Sequence, residues 1–257
     1  MFHPVPVEKK EALLKLSHEL GSREWGLVLL GEGNASVKAS DDTFFVKASG
    51  SCLGSLEEGD LTECRFDSVL PLIGREPFED GICGVVPTAQ VDPDAKTPSI
   101  EVLFHAYFLS LPGIEFVAHT HPTAINQILC SGRGRSFAER RLFPDEVVFC
   151  GPASVFVPYA NPGLPLARAI REATESYMGT RRRHPRLILL KNHGLISIGA
   201  TAEGVLASTL MAEKAAKIFI GASRLNGGGE PDFLSEDVVQ HIAGRADEQH
   251  RQRALNL

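Results

Sequence analysis

Phe116-Val117-Ala118-His119-Thr120-His121-Pro122 reads as a buried strand closed by two histidines one residue apart. Residues i and i+2 of a strand project to the same face, so His119 and His121 would stand side by side. Two neutral imidazoles so placed suit one shared metal ion, and they also suit separate structural hydrogen bonds. The local sequence leaves both readings open.

Upstream of this strand, Pro112-Gly113 ends a helical pattern. Thr97 as N-cap, Pro98 at the first helical position and Glu101 in the first turn mark its expected start. Ile100, Leu103, Phe104, Tyr107, Phe108 and Leu111 form its apolar face. A carboxylate in a first turn tends to stay ionised, so Glu101 is a candidate base or a dipole-compensating charge. His105, at i+4 from Glu101, shares its face and reads as a supporting or core histidine rather than a ligand.

Downstream, residues 122–130 suit a short helix and the Arg- and Gly-rich residues 131–141 a mobile loop. Residues 147–158 read as one or two apolar strands, and residues 164–178 as a helix facing the basic run Arg181-Arg182-Arg183. Residues 186–190 form a strand that turns at Lys191-Asn192-His193-Gly194 into a partner over 195–198. His193 is thereby the candidate third ligand. A catalytic zinc usually has three protein ligands and one open position. Thr201 caps a helix running to about residue 222. Residues 226–231 read as a linker before a polar terminal helix capped by Ser235.

Toward the N-terminus, residues 7–20 have helical period and residues 26–30 read as a short strand. That strand leads into Gly31-Glu32-Gly33-Asn34, followed by a hairpin over 35–39 and 43–48. Gly33, Asn34, Ser49, Gly50 and Ser99 all fall in turns or at a helix start, where backbone N–H groups can converge on an anion. Lys47 leads into Ser49-Gly50 and could neutralise such an anion or simply be solvated. Residues 53–96 read as short strands and loops punctuated by Gly74, Pro77, Gly81, Gly84 and Pro87. Strands and helices without regular βαβ alternation predict a mostly antiparallel sheet covered by helices.

With 257 residues, 43% hydrophobic and 23% charged, the chain has room for one large α/β domain. A net charge of -6 argues against nucleic acid or an anionic membrane as partner. There is no apolar run near the roughly 20 residues a membrane span needs, and no signal-peptide pattern at residues 1–10. Five scattered cysteines, an odd number without a C-x-x-C pattern, fit reduced cytosolic thiols. The expectation is a cytoplasmic protein.

Taken in order, four blocks resemble the class II aldolase/adducin family. They are Gly31-Glu32-Gly33-Asn34-Ala35-Ser36-Val37, Lys47-Ala48-Ser49-Gly50, Pro98-Ser99-Ile100-Glu101 and His119-Thr120-His121-Pro122, closed by Asn192-His193-Gly194-Leu195. The first two look most like the aldolase half of fused rhamnulose-phosphate aldolase/dehydrogenases, of which this would be a stand-alone relative. The resemblance implies a three-layer α/β/α domain over residues 1–223 around a largely antiparallel central sheet. Residues 224–257 would be a linker and polar C-terminal helix or tail. It implies Zn2+ or another divalent transition metal on His119, His121 and His193, with Glu101 as catalytic acid/base. Gly33, Asn34, Ser49, Gly50 and Ser99 match the family's phosphate cradle, and Lys47 joins them as a candidate substrate-binding residue from its place before Ser49-Gly50.

The activity so implied is aldol cleavage of a small ketose or sugar phosphate through a metal-stabilised enediolate, in a homotetramer with sites at subunit interfaces. Sister reactions of the family are dehydration, decarboxylation and 4-epimerisation; a non-enzymatic, adducin-like binding module is the remaining alternative. Two departures bear on the choice. Ile100 stands where the family often has a second serine, and residues 142–149 lack the tyrosine that fuculose-phosphate aldolases use to protonate the leaving aldehyde.

Overall fold

The computed structural model describes residues 7–74 and 89–248. Gly81, Gly84, Pro77, Pro87 and Cys83 lie outside these residues. At the centre is a seven-stranded sheet of order β3-β2-β1-β4-β7-β6-β5. The strands are β1 (Asn34–Lys38), β2 (Thr43–Lys47), β3 (Leu61–Arg65), β4 (Phe116–Thr120), β5 (Val155–Val157), β6 (Leu187–Leu190) and β7 (Gly194–Gly199). Every neighbouring pair is antiparallel except β5 with β6. The expected three-layer arrangement around a largely antiparallel sheet is what forms.

Period-2 alternation sends successive strand residues to opposite layers. Val117, Ile188, Leu190, Ile196 and Ile198 face one core with α2 (Phe66–Ile73), α3 (Val102–Leu109) and α7 (Leu164–Arg181). Phe116, Ala118, Leu187, Leu189 and Leu195 face the other side. That side is covered by α1 (Val7–Leu20), α4 (Thr123–Leu129), α5 (Gly134–Glu139) and the long α8 (Ala202–Leu225). α6 (Pro144–Cys150) packs on α8, and α9 (Glu236–Gly244) packs Val239 and Ile242 against Val147 and Val148 of α6. All eight residues of α3 are buried, as expected for a helix that is apolar all round.

Several local expectations fail for identifiable reasons. Residues 26–30 form no strand: Leu27 is buried, but Leu29 and Leu30 are 71% and 88% exposed, and Leu30 has φ 51°. α3 starts at Val102 rather than at Pro98, because Pro98 pairs as an isolated bridge with Ala48 and Ser49 N donates to Thr97 O. Residues 134–139 are the helix α5, not a loop, held by buried Phe137 and Ala138. The apolar Val147-Val148 lies in α6, opened by Pro144 with Asp145 and Glu146 in its first turn. α2 breaks the expected run of strands and loops with Phe66, Val69, Leu72 and Ile73 on one buried face.

The segment after α8 is fastened rather than free. Arg133 donates to Gly228 O and Gly229 O, while Arg140 reaches Glu230 at 3.2 Å and lies 3.9 Å above the Phe233 ring. Among the described residues no helix is long and apolar enough to cross a membrane, and Cys52, Cys64, Cys130 and Cys150 are free thiols.

Candidate metal centre

The three central strands β1, β4 and β7 bring their site residues together at one end of the sheet. Asn34 at the start of β1 is opposite His119 near the end of β4, and β7 begins directly after His193. His119 continues the face of Val117 and points toward α3, where its ring meets Phe104 edge-on. Close strand approach here demands glycine at two positions. A Cβ on Gly33 (φ 70°) would sit 2.6 Å from His119 O, and one on Gly194 would sit 2.5 Å from Thr120 O and 2.7 Å from the His121 ring.

One candidate ligand atom from each of His119, His121 and His193 lies within 4.8 Å of the others. His119 Nδ1 donates to Leu195 O at 3.0 Å, which leaves its Nε2 lone pair facing His121 Nε2, also 3.0 Å away. Four-coordinate zinc at about 2.0–2.1 Å from each nitrogen would hold such atoms about 3.3 Å apart, so the cluster fits one ion. His121 is placed through its backbone N–H, which donates to Leu27 O, and Glu32 lies 3.8 Å from its Nδ1. Asn126 on α4 donates to His193 O at 3.0 Å.

Glu101 closes the site. Its Oε1 is 3.4 Å from His193 Nε2 and 3.6 Å from His119 Nε2, and its Oε2 accepts from Asn34 Nδ2 at 2.6 Å. Burial opposes the charge of Glu101, but His119, His193 and the Asn34 bond outweigh it and hold the carboxyl well below the usual range. Burial likewise pushes His119 down to about 4 and lowers His121, so these imidazoles stay neutral with lone pairs to offer.

The anion-binding candidates also come together, though not all as solvent-facing groups. Gly31 lies against the Ser49–Ser51 turn, which is in turn bonded to Thr97 beside Ser99. Ser49 and Gly50 are exposed, and Ser99 Oγ accepts from Glu101 N at 3.3 Å. Lys47 is only 2% exposed, contrary to a solvated lysine; its Nζ donates to the carbonyls of Ser51, Gly31 and Ala48 at 2.5, 3.4 and 3.4 Å. It ties the glycine turns together. Asn34 turns its side chain inward, to Glu101 and His105. Tyr159 is exposed, and its hydroxyl donates to Asn161 Oδ1 two residues on.

The buried histidines give the metal-free protein an acid sensitivity. His105 is pushed by burial to about 3, and it would titrate near 6.5 once unfolded. Between those values the unfolded chain binds the extra proton, so stability falls as pH falls, by about 1.4 kcal/mol per pH unit for each such group. His105→Gln removes one such contribution. Urea midpoints of chelated protein should fall less steeply between pH 6.5 and 5 in that variant than in the wild type.

A layered α/β/α fold with three imidazoles and a carboxylate converging at the end of its central strands makes a site that can hold one divalent metal ion beside an acid/base group. The chain belongs to the Class II Aldolase and Adducin N-terminal domain family, whose sequence model matches residues 11–220. Class II aldolases use a divalent metal, and the three-histidine site is present here. The chain is 31% identical over 226 residues to the uncharacterized oxidoreductase YuxG of Bacillus subtilis (strain 168), covering 82% of this chain and only 30% of that protein. It is 27% identical over 239 residues to the 3-oxo-tetronate 4-phosphate decarboxylase of Haemophilus influenzae, covering 92% of this chain and 97% of that protein. The N-terminal class II aldolase domain of a Thermoplasma acidophilum protein shares the fold at TM-score 0.64 and 26% identity, over 86% of this chain and 96% of that one. An L-fuculose 1-phosphate aldolase does so at TM-score 0.67 and 20% identity, over 92% and 95%.

The sequence did not reveal the bond from Asn34 to Glu101 or the one from Asn126 to His193. The only hint for Asn126 is its place one turn beyond His121-Pro122.

Proposed function

We propose that this chain is a zinc-dependent lyase that breaks a carbon–carbon bond in a small ketose or sugar phosphate by aldol cleavage. The observation that carries this reading is the carboxylate of Glu101, set 3.4 and 3.6 Å from two nitrogens of the three-imidazole cluster. A divalent ion held by His119, His121 and His193 supplies a Lewis acid that polarises a substrate carbonyl. Neutral nitrogen ligands favour zinc or a similar transition metal over magnesium or calcium. Glu101 exchanges a proton with the carbon that keeps the electron pair when the bond breaks, or with its hydroxyl. Asn34 fixes the carboxylate oxygen turned away from the imidazoles. The turns at Gly33, Ser49-Gly50 and Ser99 hold the phosphate, with Lys47 bracing them from behind, so the reacting carbons stay at Glu101.

The catalytic unit in this reading is residues 1–223, with 224–257 as an appendage. A homotetramer with sites at subunit interfaces and a cytoplasmic location belong to the same proposal. The exposed Leu29 and Leu30, in the loop bonded to His121, suit a subunit contact.

Decarboxylation is the second reading, favoured by the Haemophilus influenzae relative that matches nearly end to end. It leaves an electron pair on the same kind of carbon and needs the same proton donor. Purified protein is expected to carry about one zinc per chain, to lose activity on chelation and to regain it with zinc. Ketose 1-phosphates, 3-oxo acid phosphates and methylthioribulose phosphate should then be tested, with aldehyde, carbon dioxide and water-loss products scored separately. Aldehyde release supports the aldolase reading and carbon dioxide the second. Protein that takes up no metal even from added zinc would overturn both.

A further inference from the structure

Behind Glu101 lies a chain of three hydrogen bonds, the two beyond Asn34 fully buried, for which metal binding has no need. Asn34 Nδ2 meets Glu101 Oε2, Asn34 Oδ1 meets His105 Nε2, and His105 Nδ1 lies 2.6 Å from Ser36 Oγ. His105, Ser36 and Asn34 are all buried, and His105 has no exposure at all. We propose that His105 is a positioning residue for Glu101, acting through the side-chain amide of Asn34. The proposal rests on the reading of Glu101 as the proton-exchanging group.

The bond directions follow from chemistry. An ionised carboxylate only accepts, so Asn34 must present its NH2 to Glu101. Its carbonyl oxygen then faces His105, which must carry its proton on Nε2. The remaining lone pair on Nδ1 takes the Ser36 hydroxyl proton. Only one arrangement satisfies all four groups: Ser36 O–H to His105 Nδ1, His105 Nε2–H to Asn34 Oδ1, and Asn34 Nδ2–H to Glu101.

The two ends of an amide differ little in shape, so packing alone scarcely prevents Asn34 from turning over. A flipped amide would set its oxygen against the carboxylate and drive Glu101 away. The Nε2–H of His105 is the group that forbids the flip. A buried imidazole also does this without adding charge, because burial keeps it neutral at working pH.

The placement is geometrically economical. His105 is one helical turn after Glu101 on α3, and Ser36 is two residues after Asn34 on β1. Two residues on a helix face and two on a strand face thus make a closed set of four. Phe104, stacked on His105 with ring centroids 4.8 Å apart and edge-on to His119, keeps water from competing for these bonds.

The test compares His105→Leu with His105→Gln in zinc-loaded protein, since glutamine can donate to Asn34 and accept from Ser36. Nitrogen-15 NMR of the wild type should show His105 as the neutral Nε2–H tautomer. Crystal structures should show the Asn34–Glu101 bond lost or its amide turned in His105→Leu and kept in His105→Gln. Turnover, on whichever substrate the panel identifies, should fall about 10–100-fold in His105→Leu with little change in KM, and recover most of the way in His105→Gln. Zinc content should be the same in all three. An Nδ1–H tautomer, or an unchanged Asn34–Glu101 bond in His105→Leu, would overturn the proposal. Should His105→Leu fail to fold, the tautomer and the His105→Gln structure still decide it. A correct tautomer and rescued geometry with no substrate turned over would instead count against the proposed function alone.

Discussion

Glu101→Gln should retain about one divalent ion per chain and lose about 10²–10⁴-fold in turnover. The substitution is nearly isosteric, so it isolates charge and proton exchange from shape. The amide oxygen of glutamine can still accept from Asn34 Nδ2, which now bonds Glu101 at 2.6 Å. The other end of the new side chain would face His119 and His193 with an NH2 that can neither ionise nor return a proton. Metal uptake should survive because it depends on three imidazoles whose lone pairs are fixed independently: His119 by Leu195 O, His121 through its backbone bond to Leu27 O, and His193 in the turn held by Asn126. Metal analysis and steady-state turnover on one preparation decide the matter. Near wild-type turnover would reduce Glu101 to a charge at the start of α3.

Such a variant could be designed before the fold was in hand, because the parts of the site that lie on single elements are legible in the sequence. The Phe116–Thr120 strand announces itself by an unbroken apolar run, and its end places two imidazoles together whatever surrounds it. The turn at His193-Gly194 and the hairpin of β1 and β2 are equally local. The resemblance then joined these pieces into one site. What stayed hidden depends on contacts between distant residues. Asn34 is 67 positions from Glu101 and 71 from His105, and nothing in a glycine-rich turn says that its asparagine points inward. Lys47 ends the short apolar strand β2 and reads as a solvated cation, yet three carbonyls from folded-back turns surround it. The start of α3 is displaced for the same reason: a sound Thr-Pro cap signal loses to an isolated bridge of Pro98 with Ala48, just past β2 and 50 residues earlier in the chain. In α6 the ambiguity is local. A Val-Val-Phe-Cys run fits strand or helix, and the Pro144-Asp145-Glu146 start decides for helix.

The 131–141 segment ends at Arg141, a residue whose loss should damage stability severely. Arg141 is buried, and its guanidinium donates to the carbonyls of Gly151, Ala138, Arg140 and Cys150 and to Ser154 Oγ. The carboxylate of Glu146, equally buried, lies 3.8 Å from it and accepts from Leu142 N at 2.7 Å. One side chain therefore joins the end of α5, the start and end of α6 and the approach to β5. Burial pushes the Glu146 carboxyl above its usual range, and Arg141 offsets part of that. Arg141→Met keeps much of the volume but removes the donor to five acceptors, of which Ala138 O keeps a second bond from Ser154 N, and leaves Glu146 without its counter-charge. Breaking a buried pair from one side costs about 3–5 kcal/mol. For a chain of this size that corresponds to a fall in melting temperature of roughly 10 °C. Adding Glu146→Gln removes the stranded charge and should return part of the loss, because the larger penalty lies in an unpaired buried ion rather than in the missing attraction. Thermal melts of the wild type, both single variants and the double variant measure that coupling. If the double variant is no more stable than Arg141→Met, the guanidinium acts here through its carbonyl bonds alone, and Glu146 is held by Leu142 N without help from the arginine's charge.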